Sequence, residues 1–404
     1  MITEVSSPAD LPLESHSSQE IIRALFSTGF DLNKPVALWR LPDSSRFQLA
    51  VDLNGTHKSP VKLENSQTGF IVSPFLNKDK NEPVFIQASI SYSSESHSML
   101  YRSDLPEKEK QDFVAIVKEN LSHPSEKNLP LQEKNNSGQA EKENFAAIVK
   151  KALVNISEGK FKKVVLAREK NISSQTPLDA VDLFFRLAAN YSNAFVSLVS
   201  VPEFGVWIGA TPELLLSVDK EKIFRTASLA GTQAYREGTK LSDCVWTQKE
   251  IEEQALVSRY IINCFKAIRL REYEDEGPRT VRAGSLLHLR TDFLADTMKL
   301  GFPELGSQML ELLHPTSAVC GMPKEEAMKF ILEEEKFERS LFSGYLGPVN
   351  FNSETCLYVN LRCARLFHQS VTLFAGAGIT QDSDPEKEWM ETEMKMRTIG
   401  DYIQ

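Results

Sequence analysis

Near the end of the chain, Asp384 to Lys395 reads DPEKEWMETEMK, five carboxylates gathered around one tryptophan. Drawn as a helix, Glu388, Glu391 and Lys395 fall at i, i+3 and i+7 and share one face. Most acidic runs are solvated faces, and an ion pair between Glu391 and Lys395 would suit that reading. The position of this one argues for more. The stretch before it, LFAGAGITQDSDP, ends a strand in a Gly-Ala-Gly turn, where bare backbone can approach a ligand closely. A helix starting just beyond presents its first turns to the same cleft.

A second acidic helix, TQKEIEEQALVSRYIINCF, offers Glu250, Glu252 and Glu253. Leu256, Tyr260, Cys264 and Ala267 form its apolar stripe, and Glu253 lies one step off that stripe, at the rim. One carboxylate from each of two helices, completed by water and substrate oxygens, is a common way to hold Mg2+. On spacing alone, two unrelated solvated helices are the commoner outcome. Lys163 opens the strand-like KVVLAR, and Glu213 sits in the turn GATPEL. A lysine at a strand edge ordinarily faces water. Buried against each other, however, the two would make a base and an acid, the lysine pKa lowered and the glutamate pKa raised. His288 in LLHLRT and His314 in LLHPT lie in apolar strand-like stretches, where a hydrogen-bonded core histidine is the commoner outcome.

The elements that must position these groups are mostly strands. KKVVLAREK, NAFVSLVSVP, FGVWIGA, ELLLSVD and KIFRTASLAGT are β-branched or aromatic-rich runs between turn signals, and ETCLYVNLRCARLF and SVTLFAGAGI follow later. Helical patterns cover Thr247 to Leu270 and Pro323 to Phe337, and ENFAAIVKKALVNISEG predicts a helix with Phe145, Ile148, Ala152 and Ile156 on one stripe and Gly159 as its C-cap. The first 120 residues mix a helix, SQEIIRALFSTG, with short strands, FQLAVDL and PVFIQASISYS, and carry no chemical motif. Ser122 to Phe145 is polar and charged and reads as an exposed connection or flap. Strands joined by short turns favour antiparallel pairing, so the expected fold is α+β with large mixed, mostly antiparallel sheets. Neither a GxGxxG opening a helix nor a Walker A loop occurs.

The 404 residues are 41% hydrophobic and 25% charged, enough for two or three domains or one large sheet-based domain. A net charge of −9 argues against a nucleic-acid or anionic-membrane partner but permits a small anionic substrate. The five cysteines (Cys244, Cys264, Cys320, Cys356 and Cys363) are scattered, without metal-ligand spacing, which fits a reduced compartment. With neither a signal-like N-terminus nor a membrane-length apolar run, a soluble cytoplasmic protein is expected.

Taken together and in order, these segments resemble the chorismate-binding enzymes, and among them the isochorismate synthases most. The resemblance rests on KVVLAR (Lys163 to Arg168), GATPELLL (Gly209 to Leu216), SLAGT (Ser228 to Thr232), LHLRT (Leu287 to Thr291) and LHPTSAVCGMP (Leu313 to Pro323). It continues through FERSLFSGYLG (Phe337 to Gly347), VNLRCA (Val359 to Ala364), LFAGAGI (Leu373 to Ile379) and SDPEKEWMETEMK (Ser383 to Lys395). It implies a catalytic region over residues 145–402 and a variable N-terminal part of the same fold over 1–140, with the polar connection at 122–145.

The resemblance also implies roles. Glu391 of the E-W-x-E-T signature and Glu253 of KEIEEQ would bind Mg2+, which would carry the ring carboxylate of chorismate. Gln254, where a histidine is usual, and KEI, where K-D-R is usual, depart from the pattern and leave Glu252 and Glu250 as alternative registers. Arg362 and Lys395 would receive the substrate's carboxylates, with the backbone of Gly376 and of Gly231 and Thr232 close by. Phe342, Gly344 and Ala318 would line the pocket; Ser317 stands where proline is common. Lys163 would activate water for attack at C2 of the ring, Glu213 would protonate the departing C4 hydroxyl, and His288 of LHLRT joins them as a candidate catalytic residue. Ala230 stands where aminodeoxychorismate synthases carry an attacking lysine, which excludes that route. The alternatives are salicylate synthase, which the small Ala318 disfavours, anthranilate synthase component I, which Lys163 opposes, and a catalytically inactive homologue. A monomer is implied by the resemblance alone.

Overall fold

The computed structural model describes residues 2–5, 11, 13–55, 57–58, 62–76, 82–123, 129–131, 138–283 and 286–403. Parts of the expected polar connection, residues 124–128 and 132–137, therefore lie outside the described residues. A helix begins within that connection, at Gly138, and runs to Ser157. It ends beside Gly159, whose φ of 75° takes the left-handed turn that a side chain would resist.

Two antiparallel sheets stack face to face. One has eleven strands in the order Ile2–Val5, Ser98–Arg102, Ile90–Ser93, Gln48–Val51, Val36–Arg40, Phe195–Val201, Gly205–Thr211, Cys363–Phe367, Ser370–Ile379, Lys163–Ser173 and Gly321–Met322. The other has nine, in the order Glu274–Ala283, Leu286–Asp296, Ile223–Ala234, Leu214–Val218, Thr355–Val359, Tyr345–Val349, Gly69–Ser73, Val84–Gln87 and His57–Lys58. Period-two alternation explains how the layers form. Ala37, Trp39, Phe195, Trp207 and Phe374 point between the sheets and meet Phe70, Val72, Leu346 and Tyr358 there. Their neighbours Val36, Leu38, Val196, Leu198, Ile208 and Leu373 point outward onto helices Ser18–Asp31, Glu107–Ser122 and Ala180–Asn190. Helices 138–157, Gln248–Ala267, Leu305–Leu313 and Lys324–Glu334 cover a third core that includes Ile71, Leu216, Phe224 and Phe293 of the second sheet. Such an arrangement is α+β, with sheets flanked by helices. No described helix is long and apolar enough to cross a membrane.

Two segments that read as single strands change sheets in mid-run. PVFIQASISYS divides into Val84–Gln87 in one sheet and Ile90–Ser93 in the other. ETCLYVNLRCARLF divides at Asn360–Arg362, where Arg362 takes φ 49° and the Asn360 amide donates to the Leu341 carbonyl at 2.9 Å. Helices Ala180–Asn190 and Leu305–Leu313 were not expected, because short apolar-rich runs do not separate helix from strand by periodicity. Nor was the strand Glu274–Ala283, whose EDEGPRTVRA carries the charges and proline of a protected edge.

Candidate active site

Lys163 begins the strand Lys163–Ser173, and its side chain is 2% exposed. Its Nζ donates to Glu253 Oε1 at 2.8 Å. Glu253 comes from the first turns of helix Gln248–Ala267, whose start is fixed by a capping box in which Glu250 receives the Thr247 backbone N–H at 2.7 Å. Glu250 is thus spent on the cap, and Glu252 is exposed and bonded by Gln248 at 2.9 Å. Of the three registers, Glu253 is the carboxylate that reaches the cavity. Gly378 makes room for the pair: a Cβ there would stand 3.0 Å from Lys163 Cε and 3.1 Å from Glu253 Oε1.

On the helix Pro385–Gly400, Asp384 caps the N-terminus through the N–H groups of Glu386 and Lys387, and Pro385 fits the first turn. This sets the face of Glu388, Glu391 and Lys395. Lys395 Nζ donates to Glu391 Oε1 at 2.6 Å and to the Gly376 carbonyl at 2.8 Å, tying the helix to the strand Ser370–Ile379. Gly376, Ala377 and Gly378 do not form the expected turn there: they stay in the ladder opposite Ala167, Leu166 and Val165, because glycine without a side chain still extends and pairs. Glu388 is buried at 2% exposure and pairs with Lys249 at 3.1 Å; burial first, and then the Glu391 charge, raises its carboxyl above the usual range.

Glu213 and Arg362 enter the same cavity from turns. Burial pushes the Glu213 carboxyl up to about 7, against the pull of the nearby Lys163, Lys395 and Arg362 charges. Arg362 is carried in by the sheet change at Asn360–Arg362 and has its pKa lowered by burial, while Glu391 and Glu213 oppose that shift. The strand Ile223–Ala234 slips register between Ala230 and Gln233, and Gly231 there adopts φ 72°, a bulge that puts Ala230, Gly231 and Thr232 on the cavity wall.

His288 Nδ1 lies 2.7 Å from the Gly231 carbonyl, so it carries the proton, and Nε2 is left as a buried acceptor without a partner among the described residues. Burial pushes the His288 pKa down to about 4, with Arg362 adding to the effect, and the ring is neutral at neutral pH. His314, in a similar local sequence, instead packs edge-on against Tyr345 in the core and does not line the cavity.

Phe342, Ala318 and Gly376 complete the wall. Phe342 stacks on Phe374 with ring centroids 5.7 Å apart, and Phe374 stacks in turn on Trp207 at 5.1 Å. Gly344 is not brought to the wall: its α-carbon packs on Ser73, whose carbonyl would lie 2.0 Å from a Cβ. Its glycine serves that close approach. Leu229, Leu361 and Phe374 also line the wall, and Lys249 pairs with Glu388; none of these is marked by the local sequence as a functional position. Phe374 lies in the quoted LFAGAGI run, and alternation from Gly376 would have placed it on the same face.

Among the described residues no three His, Cys, Asp or Glu side chains are grouped as a closed metal cage. Glu253 and Glu391 nevertheless face one cavity with no thiolate on its wall, and a pair of carboxylates fits a hard cation finishing its shell with water or substrate oxygens. Lys163, Lys395 and Arg362 make the remainder of the cavity receptive to an anion.

The chain is 33% identical over 243 residues to isochorismate synthase EntC of Escherichia coli, the match spanning 59% of this chain and 61% of that protein. The chain thus covers about three fifths of that relative's length. Among solved structures, the menaquinone-specific isochorismate synthase MenF of Escherichia coli superposes with a TM-score of 0.71 at 21% identity, covering 92% of this chain and 89% of that one. A 2,3-dihydroxybenzoate-specific isochorismate synthase described as putative, DhbC of Bacillus anthracis, gives 0.69 at 23% identity, covering 93% and 98%. At those identities the likeness establishes the fold. The family model for chorismate binding enzyme matches residues 52–404, and the chain belongs to that family.

Proposed function

We propose that this protein is an isochorismate synthase, which isomerises chorismate to isochorismate in the presence of Mg2+ by adding water at C2 of the ring and expelling the C4 hydroxyl. The observation that carries the reading is one cavity holding both a buried lysine and a carboxyl whose pKa is raised to about 7. A base and an acid of those types suit concerted addition and loss of water, with no net change in atoms. Ala230 on the same wall leaves no amine nucleophile at that position.

Arg362 and Lys395 receive the two carboxylates of the substrate through charge-assisted hydrogen bonds. The Phe342–Phe374 stack and Ala318 give the ring an apolar seat and keep bulk water out. Lys163 acts as the neutral amine: it parts from Glu253, loses to solvent the proton it donates there, and then takes a proton from the water that adds to C2. Glu213, protonated, gives a proton to the departing C4 hydroxyl, which leaves as water. Neutral His288 accepts a hydrogen bond at Nε2 from a substrate hydroxyl or from the attacking water, held in that tautomer by the Gly231 carbonyl. Glu253 and Glu391 would hold Mg2+, which when bound supplies positive charge to anchor the ring carboxylate and to stabilise negative charge gathering on it. The reading takes the protein as a cytoplasmic monomer whose partner is a small molecule.

Purified protein incubated with chorismate and Mg2+, with and without ammonium, tests the assignment by NMR of the products. Isochorismate in equilibrium with chorismate is expected under both conditions. Salicylate with stoichiometric pyruvate, or anthranilate when ammonium is present, would overturn it.

A further inference from the structure

The tryptophan and threonine of the acidic helix, and the arginine that closes KVVLAR, take no part in the cavity. They meet one another on the opposite side of the strand Lys163–Ser173. Lys163 and Val165 face the cavity, whereas Val164, Leu166 and Arg168 alternate to the other face. There the Arg168 guanidinium lies 3.6 Å from the centroid of the Trp389 ring, and its Nε donates to Thr392 Oγ1 at 2.7 Å. Nη2 pairs with Glu393, which Lys170 of the same strand also holds at 2.7 Å. Trp389 also meets Phe145, edge-on at 5.9 Å.

Trp389 directly follows Glu388, and Thr392 directly follows Glu391. Consecutive helical residues are about 100° apart around the axis, so holding the second of each pair against the strand fixes the direction of the first. The grip therefore sets the rotation of the helix Pro385–Gly400, which is the coordinate that aims Glu391 and Lys395 into the cavity. We propose that Arg168 is a positioning residue, which holds the rotational register of this helix through Trp389, Thr392 and Glu393 and so presents Glu391 to the cation and Lys395 to the substrate carboxylate. The inference rests on the metal reading of Glu253 and Glu391 given above.

Arg168→Lys keeps a positive charge for Glu393 but loses the planar stack on Trp389 and the bond to Thr392. Thr392→Val deletes a hydroxyl at nearly constant shape. Mn2+ added alone to the full chain, with free Mn2+ followed by EPR, reads the aim of the carboxylates without any turnover. Partners that orient metal ligands typically contribute about 10–100-fold in affinity, and a loss of that order is expected in Arg168→Lys, with a smaller one in Thr392→Val. The KM for chorismate should rise in step through Lys395, while kcat recovers at saturating Mg2+ and far-UV circular dichroism stays that of the wild type. Mn2+ affinity within twofold of the wild type in both variants would overturn the positioning role and leave the metal reading standing. Wild-type protein that takes up no Mn2+, alone or with chorismate, would overturn the metal reading itself.

Discussion

Replacing Glu213 by glutamine should make the protein more stable and nearly inactive at once. The folded protein holds the Glu213 carboxyl at about 7 against an ordinary value of 4.5, chiefly because burial penalises its charge. Between those two values the folded state binds more protons at this site than the unfolded chain does. Stability contributed by this group is therefore greatest below pH 4.5, falls as pH rises, and levels off above about 7. The displacement converts to about 3 kcal/mol of strain carried at pH 8 and essentially none at pH 4.5. Glu213→Gln removes an ionisation, not a shape, so urea titrations should show the variant more stable than wild type by up to that amount at pH 8 and equal to it at pH 4.5. The same substitution deletes the proton donor, and kcat should fall by about 10²–10⁴-fold. In the wild type, kcat/KM should decline above pH 7 as the acid deprotonates. A variant with no stability gain at pH 8 relative to pH 4.5 would refute the buried, protonated carboxyl, whatever its activity.

Lys163→Ala should lower kcat by about 10²–10⁴-fold while chorismate still binds, as judged by isothermal titration; a loss of only a few-fold would assign the base elsewhere. Arg362→Ala removes a charge-assisted contact to a carboxylate and should act mainly on KM, so an unchanged KM with a collapsed kcat would contradict that division of labour. Glu391→Gln should stay folded and lose turnover, and full wild-type activity in excess EDTA would refute the divalent-cation requirement.

Much of the catalytic half was legible because its strands are long, apolar and bounded by turn residues. Lys163 and the Ala230–Thr232 segment could be placed on strands from pattern alone, whereas Gly376 read as part of a turn and lies in the ladder, and a single capping box fixes the helix that carries Glu253. What pattern could not show was where a β-rich run leaves one sheet for the other. Arg362 reaches the cavity only because the chain breaks at a left-handed residue, and nothing in VNLRCA marks that break locally. The same limit applies to His288 and His314, which share apolar neighbours and part company only through tertiary packing. Gly344 shows the reverse: its conformational role is local, a close approach to the Ser73 carbonyl, while resemblance placed it on the pocket wall. The charged edge strand Glu274–Ala283 was illegible because edges are polar by necessity.

The most direct test of the central claim follows the oxygen atoms. Chorismate turned over with Mg2+ in H2 18O, stopped early and analysed by mass spectrometry and 13C NMR, reports the origin of the new hydroxyl. With Lys163 delivering water and Glu213 releasing the old hydroxyl, one solvent oxygen should appear at C2, none at C4, and the pyruvyl ether should remain on the ring. Isochorismate formed without solvent oxygen, by migration of the original hydroxyl, would contradict the account.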